Sequence, residues 1–360
     1  MGNPNKKRGV LSIFLIILLL IFDAVGALSD GRRSLQSGAD NTMPTLVIED
    51  EIESTDLAAE PDSPDTSQVK WEDGWVKYNG EIYRYKEDVL TFLVMGTDQM
   101  GENKAKSGGL DGGQADLLIL TVIDPTTKRI ELIPINRNTM VDVDVYDAAG
   151  NVVRTAYAQI SVQHGVGDGE AESCEYQVKA VSRYLYQLPI HGYISMKMDG
   201  IGPLSKAVGG VDLTIPEDVV TPSFSYKKGQ EVHLEGNDAH LFVRDRDHEV
   251  GGSDRRLERQ KVFLKALMNK VMVTLKSNPT SIANIYSAVT QYITTDISLD
   301  EMLYIAGQCS GYTFDSNSFR TIGGETVEGE LYDEFYPDTD KVKDLMISVF
   351  YEKVDNNTQG

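Results

Sequence analysis

The sequence predicts an α/β sandwich behind a membrane segment, and three observations carry that prediction. The runs VLTFLVMGTD (89–98) and DLLILTVID (116–124) are continuously apolar, as strands buried on both faces of a sheet must be. EAESCEYQVKAVSRYLYQL (170–188) sets Cys174, Val178, Val181, Leu185 and Leu188 at three- and four-residue steps, the stripe of an amphipathic helix. Such strands and helices interleave along the chain, the pattern of a sheet covered by helices.

The N-terminus addresses a membrane. Lys6, Lys7 and Arg8 precede VLSIFLIILLLIF (10–22), and the stretch 10–28 carries a single charge, Asp23. That length approaches the roughly 20 residues needed to span hydrocarbon. Residues 1–28 therefore read as a basic flank and a signal-anchor, while Val25 and Ala27 also fit a cleavable signal. Either way the positive flank stays inside, so the rest of the chain is expected at the outer side of the cell membrane as a single-pass protein. Residues 29–73, rich in Ser, Asp, Glu, Thr and Pro, predict a disordered acidic linker. Residues 74–355 then form the extracellular domain.

Within that domain Asn79-Gly80 sits between aromatic-rich segments, a hairpin signal. RIELIPIN (129–136) alternates more than the two runs before it, and HGYISMKM (191–198) alternates as a strand. GPLSKAVGGVDLTIPEDV (202–219) predicts a short helix ended by Gly209-Gly210, then a strand with Pro216 near its edge. A long helix is predicted over 254–275, with Leu257, Leu264, Leu267, Met268 and Val271 inward. ISLDEMLYIAGQ (297–308) reads as helical, and ELYDEFYPDTDKVKDLMISVFYE (330–352) as a strand or loop leading into a packed helix.

Composition narrows function. A formal charge of -21 with pI near 4.6 excludes broad nucleic-acid binding, which needs a basic surface. Two cysteines, Cys174 and Cys309, match no metal or redox spacing; they form one bridge or stay as idle thiols.

Against that acidic background LFVRDRDHEVGGSDRRLERQ (241–260) holds five arginines. Arg244 and Arg246 are two apart in a segment read as a strand end, so both leave one face. Arg256 and Gln260 are four apart on the following helix, with Arg259 beside them. Guanidinium forks at a helix start suit phosphate oxygens. The alternative is a solvated helix start laced with ion pairs, because Asp245, Asp247, Glu249, Asp254 and Glu258 nearly balance the charge. Asp98 and Asp116 flank the glycine-rich GGLDGGQAD, and Arg137 ends a strand; together they suggest a divalent ion beside a phosphate at a strand-end edge.

FLVMGTD, GGQADLLILTV, PINRNTM, GYISMKMDGIGPLSKAVGGVDLTIP and LFVRDR…RLERQ occur in the order and spacing of the LytR-CpsA-Psr (LCP) family of bacterial cell-envelope proteins, which the chain resembles over 89–272. The resemblance implies a three-layer α/β/α sandwich with a mixed central sheet on one membrane anchor. It also implies an apolar tunnel for a polyprenyl chain. The implied activity is Mg²⁺-assisted transfer of a teichoic acid or capsular glycopolymer from polyprenyl pyrophosphate onto peptidoglycan. By position, Asp98, Asp116 and Arg137 look like the catalytic set, Asp98 and Asp116 the metal carboxylates, and Arg137, Arg244, Arg246, Arg256 and Gln260 the pyrophosphate-binding set.

Three neutral amides depart from the family pattern. Gln114 stands where an Arg is frequent, Asn138 where an Asp is usual, and Gln159 where a Lys is frequent. They keep two other readings open: a non-catalytic or regulatory binder of polyprenyl phosphate or wall polymer, and a polyprenyl-pyrophosphate hydrolase. His164 stands where the family tends to have an aromatic, and reads as a wall residue.

Overall fold

The computed structural model describes residues 43–46, 74–99, 112–147, 149–245, 281–298, 312–313, 316–329 and 333–354, with single positions between 259 and 274 and at 301 and 305. The predicted anchor and Cys309 lie outside the described residues. Among the described residues no helix is long and apolar enough to cross a membrane. Within the predicted linker, residues 43–46 are described against the body: Thr45 N–H donates to the Tyr186 carbonyl at 2.7 Å, and Leu46 is buried.

Asn79 and Gly80 both take positive φ, the geometry of a tight hairpin turn, and they join β1 (Trp75–Tyr78) to β2 (Glu81–Tyr85). The apolar runs form β3 (Leu90–Thr97) and β4 (Ala115–Asp124), and the alternating segment forms β5 (Arg129–Ile135). A second hairpin follows, β6 (Met140–Tyr146) with β7 (Val152–Gln159). A 3₁₀ segment, Ile160–Val166, leads to α1 (Ala171–Tyr184). Asp168 Oδ1 accepts from the Glu170 and Ser173 N–H groups at 2.7 and 3.3 Å, satisfying donors that α1's first turn leaves free.

β8 (Tyr193–Lys197) is followed by α2 (Ile201–Ala207), which ends at Gly209 and Gly210, both at positive φ. The chain continues through β9 (Val211–Thr214), β10 (Val219–Val220), β11 (Ser225–Tyr226) and β12 (Glu231–Leu234) into α3 (Asn237–Arg244). Helical positions between 259 and 274, then α4 (Ser281–Val289) and β13 (Ile293–Thr295), come next. β14 (Gly324–Glu328) and β15 (Asp333–Pro337) form a third hairpin. It runs into α5 (Thr339–Phe350), N-capped by Asp338, and β16 (Tyr351–Lys353), which pairs with β2.

The central sheet has the order β13-β8-β3-β4-β5, with β3 and β8 parallel and the other pairs antiparallel, so it is mixed. Side chains alternate between its faces. On one face Phe92, Val94, Ile130 and Leu132 meet Leu204 of α2, Phe242 of α3, Phe263, Leu267 and Ile285 of α4. On the other, Leu93, Met95, Leu118, Leu120 and Ile133 meet Cys174 and Val181 of α1 and Val342, Met346 and Phe350 of α5. Two helical layers thus enclose one sheet. Phe242 and Phe263 lie with ring centroids 6.3 Å apart, and truncating either to Ala costs about 3–5 kcal/mol.

One local expectation is corrected. The segment carrying Arg244 is the last turn of α3 and not a strand end, because Ala239, Phe242 and Val243 fall on one helical stripe that is buried. A strand's two-residue period therefore does not relate Arg244 to Arg246, which lies outside the described residues. Of the inward residues predicted for 254–275, Leu267 is buried; Leu257, Leu264, Met268 and Val271 lie outside the described residues or have undescribed side chains.

Candidate functional site

The β3–β4 ladder is broken by a bulge. Gly96 pairs with Leu117 but Thr97 pairs with Ala115, so Asp116 is the extra residue on β4. A bulge re-aims a side chain out of the alternation, and here it turns a carboxylate out of a strand whose neighbours Ala115 and Leu118 are buried. Upstream, Gly113 at φ +72 makes the turn into β4; a Cβ there would stand 2.4 Å from Gln99 Cγ. The turn returns the chain to β3, where Asp98 Oδ1 accepts the Gln114 N–H at 2.9 Å and Asp98 N–H donates to the Gln114 carbonyl at 3.3 Å.

Arg137 follows β5 and closes the cluster. Its Nη1 donates to Asp116 Oδ1 and its Nη2 to Gln114 Oε1. Asp98, Gln114, Asp116 and Arg137 therefore form one connected group at the carboxyl ends of β3 and β5. Arg137 Nε is buried and has no hydrogen-bond acceptor among the described residues, a donor of the kind that a bound oxyanion or water satisfies. Next along the chain, Asn138 Oδ1 accepts from Gln159 Nε2 at 3.3 Å, and the same amide donates to the Asp333 carbonyl at 2.8 Å. All three amide departures thus sit in this group or against it.

His164 supports the turn from behind. It is fully buried, and its Nδ1 lies 2.9 and 3.0 Å from the Gly112 and Gly113 carbonyls, so Nδ1 carries the proton and donates to both. Burial holds the imidazole below its ordinary pKa, which keeps it neutral, and Cys174 Sγ packs 3.8 Å from Nε2. Cys174 is a free thiol pushed far up by burial, so it stays protonated. Neither group reaches the cluster directly.

The arginine-rich stretch is arranged differently from its sequence reading. Arg244 is exposed at the end of α3, and among the described residues it makes no hydrogen bond or ion pair with the cluster. Arg246 and Arg256 lie outside the described residues. Arg259 is not a surface ion-pair partner. Its side chain is 1% exposed, its Nε donates to the Phe242 carbonyl at 3.3 Å, and its Nη2 donates to the Asp245 carbonyl. Gln260 Nε2 donates to the Val243 carbonyl at 2.9 Å. Both side chains satisfy carbonyls that the end of α3 leaves without intrahelical partners. No one-dimensional signal separates these two from their neighbours, because the pairing depends on where α3 stops.

The chemistry of the cluster is that of an anion site with two carboxylates. Among the described residues no group of three or more His, Cys, Asp or Glu gathers for a metal. Asp98 and Asp116 still suit a hard divalent ion of the Mg²⁺ type, which takes one or two carboxylates and fills its shell from water and substrate phosphate. Asp116 is engaged by Arg137, whereas Asp98 Oδ2 has no partner among the described residues. A separate cavity of about 560 Å³ opens between α2, α3 and α4, where His240 Nε2 lies 3.3 Å from Asp199 Oδ1; none of its lining residues belongs to the cluster.

Comparison with known proteins converges on one family. The LytR_cpsA_psr family model matches residues 51–347. The polyisoprenyl-teichoic acid–peptidoglycan teichoic acid transferase TagV of Bacillus subtilis (strain 168) is 28% identical over 254 residues, covering 69% of this chain and 60% of that protein. A TagU of the same activity name from Oceanobacillus iheyensis is 27% identical, covering 70% of this chain and 72% of its own. The crystal structure of B. subtilis TagV superposes with a TM-score of 0.53 at 26% identity, over 73% of this chain and 96% of that one. The structure of gbs0355 from Streptococcus agalactiae, at 17% identity and TM-score 0.55, shares the fold.

Proposed function

The chain belongs to the LytR_cpsA_psr family, and on that premise we propose that it is a transferase moving a polyprenyl-pyrophosphate-linked wall glycopolymer onto peptidoglycan. The observation that carries the reading is the Asp98–Gln114–Asp116–Arg137 group: a guanidinium whose Nε has no acceptor among the described residues, linked through Gln114 to Asp98, whose Oδ2 has no partner among them. The names of TagV and TagU supply the substrate class; the match covers 60% of the TagV chain, and the activity is proposed for this chain on that footing.

In the proposed reaction a peptidoglycan hydroxyl attacks the phosphorus nearest the glycan. The bond from that phosphorus to the bridging oxygen breaks, and polyprenyl phosphate leaves with the bonding pair. Asp98 accepts the hydroxyl proton through Oδ2, since Asp116 is held by Arg137. Arg137 stabilises charge on the phosphoryl oxygens, and the resemblance assigns Arg244, Arg246 and Arg256 to bind the same diphosphate; Gln260 acts by holding the end of α3. Asp98 and Asp116 would hold Mg²⁺, which when bound supplies charge neutralisation at the diphosphate. The reaction then takes place at the outer face of the cell membrane, beneath an anchor formed by residues 10–28.

The test uses the full chain in detergent with a labelled polyprenyl-pyrophosphoryl glycan and peptidoglycan. Mg²⁺-dependent attachment that is impaired in Arg244→Ala supports the assignment; attachment indifferent to that change removes Arg244 from the anion site. A second reading rests on the Gln159–Asn138 amide pair, which stands where the family pattern carries charges: a polymer-holding protein without turnover. Retained lipid binding with no attachment would distinguish it.

A further inference from the structure

Beside the cluster two hairpins joined by one bridge build an outer surface that the proposed chemistry does not use. β7 pairs with β6, the Thr139↔Phe335 bridge joins the start of β6 to β15, and β15 pairs with β14. Strand parity then sorts the side chains. Thr139, Val141 and Val143 face inward; Thr139 and Val143 are buried and Val141 packs on the core, and Phe335 lies on that same side as the bridge partner of Thr139. The opposite face carries Asp142 and Tyr157, which are cross-strand partners, and Gln159 two residues from Tyr157. It also carries Tyr336 with its partner Glu325, and Val327 with its partner Glu334.

Toward Asp144 this face is covered, since Asp144 is buried against Arg183 of α1, but its Tyr157 and Tyr336 end is exposed. Tyr157 is 60% exposed and Tyr336 38%, and of the large exposed hydrophobics among the described residues all but Val220 lie on these two hairpins. Exposed rings on the two hairpins, interleaved with the carboxylates of Asp142, Glu325 and Glu334, match one ligand chemistry well. The apolar faces of neutral sugar rings stack on tyrosine, and their hydroxyls donate to carboxylates. The same carboxylates repel a phosphate-bearing polymer. Gln159 ties the surface to the reaction, because its side chain lies on this face and reaches Asn138, next to Arg137.

We infer that the face formed by β7, β6, β15 and β14 seats the neutral glycan strand of the acceptor, with Tyr157 and Tyr336 as its stacking residues. This rests on the transferase reading for the word acceptor, but the binding itself is independent of turnover. The anionic donor polymer is thereby kept to the arginine side.

The experiment measures binding of the full chain in detergent to an oligomer of N-acetylglucosamine, which carries no charge, with a glycerol-phosphate oligomer as the anionic comparison. The wild type binds the neutral strand, and the Tyr157→Ala/Tyr336→Ala double variant binds about tenfold more weakly, the scale of a lost aromatic anchor. Tyr157→Phe/Tyr336→Phe retains binding, because the ring and not the hydroxyl does the stacking. In the attachment assay the Ala variant raises KM for peptidoglycan and leaves kcat and the donor KM alone. Equal binding by the wild type and the Ala variant, no wild-type binding to the neutral strand, or preference for the phosphate oligomer overturns the inference. Tyrosine-dependent binding by a wild type that attaches nothing sustains the surface and removes only the transferase reading.

Discussion

Gln159 Nε2 donates to Asn138 Oδ1 across 3.3 Å. The resemblance sets a lysine and an aspartate at these two positions, and in this chain the two amides that stand there hydrogen-bond to each other. Asn138→Asp alone sets a carboxylate against a neutral amide, and Gln159→Lys alone sets an ammonium against one. The double variant is expected to recover more than the two singles sum to, with a coupling of about 0.5–3 kcal/mol in thermal stability. Additive singles in a double-mutant cycle would show that the pair does not act as a unit.

Asp98 and Asp116 are expected to fail differently. Asp98→Asn removes the open oxygen assigned to take the proton, so kcat falls about 100-fold or more. Asp116→Asn removes the partner of Arg137, so donor binding weakens as well. Single-turnover rates and donor binding measured on both variants separate the two roles, and identical behaviour contradicts them.

Arg259 is a structural residue by its geometry. Arg259→Ala leaves the Phe242 and Asp245 carbonyls at the end of α3 without their donor, at about 1–3 kcal/mol for each buried group. Guanidinium denaturation should show the loss, and Gln260→Ala a smaller one through Val243. A stability equal to wild type, with donor binding lost, would return Arg259 to the anion site.

His191 makes stability depend on pH. Burial pushes it down to about 4, and the Thr91 N–H donates to its Nδ1 at 3.1 Å. The unfolded chain takes up a proton near pH 6.5 that the folded chain refuses until about pH 4. Stability therefore falls as pH drops through that window, by up to about 3 kcal/mol at its acid end. His191→Gln should flatten urea midpoints measured between pH 7 and 4.5; an unchanged slope contradicts this source.

Most of the fold was legible in the sequence because its signals are local. Continuous apolar runs gave β3 and β4, three- and four-residue steps gave α1 with Cys174 and Val181 buried and Val178 partly so, and Asn79-Gly80 gave the first hairpin; α1 ends at Tyr184, so Leu185 and Leu188 are buried beyond it. The segment at 241–244 misled because LFV is a short apolar run, which a strand and a helix share; its helical stripe shows only when Ala239 is counted in. The candidate site was legible residue by residue, but its connections were not. That Asp116 is the bulge residue, that Gln114 and Asp116 share one guanidinium, and that Arg259 turns inward all depend on register and helix length set by distant packing. The outer face of Tyr157 and Tyr336 depends on a bridge between strands nearly 200 residues apart, which no pattern within either strand announces.

The central claim is that Arg137, forked between Gln114 and Asp116, holds the diphosphate while the glycopolymer is moved. The most direct measurement is single-turnover attachment of a labelled polyprenyl-pyrophosphoryl glycan to peptidoglycan by the full chain and by Arg137→Lys. Lysine keeps the charge but cannot serve two acceptors and an oxyanion from one plane, so the rate is expected to fall about 10- to 100-fold with the melting temperature little changed. Attachment at the wild-type rate by Arg137→Lys would contradict the account.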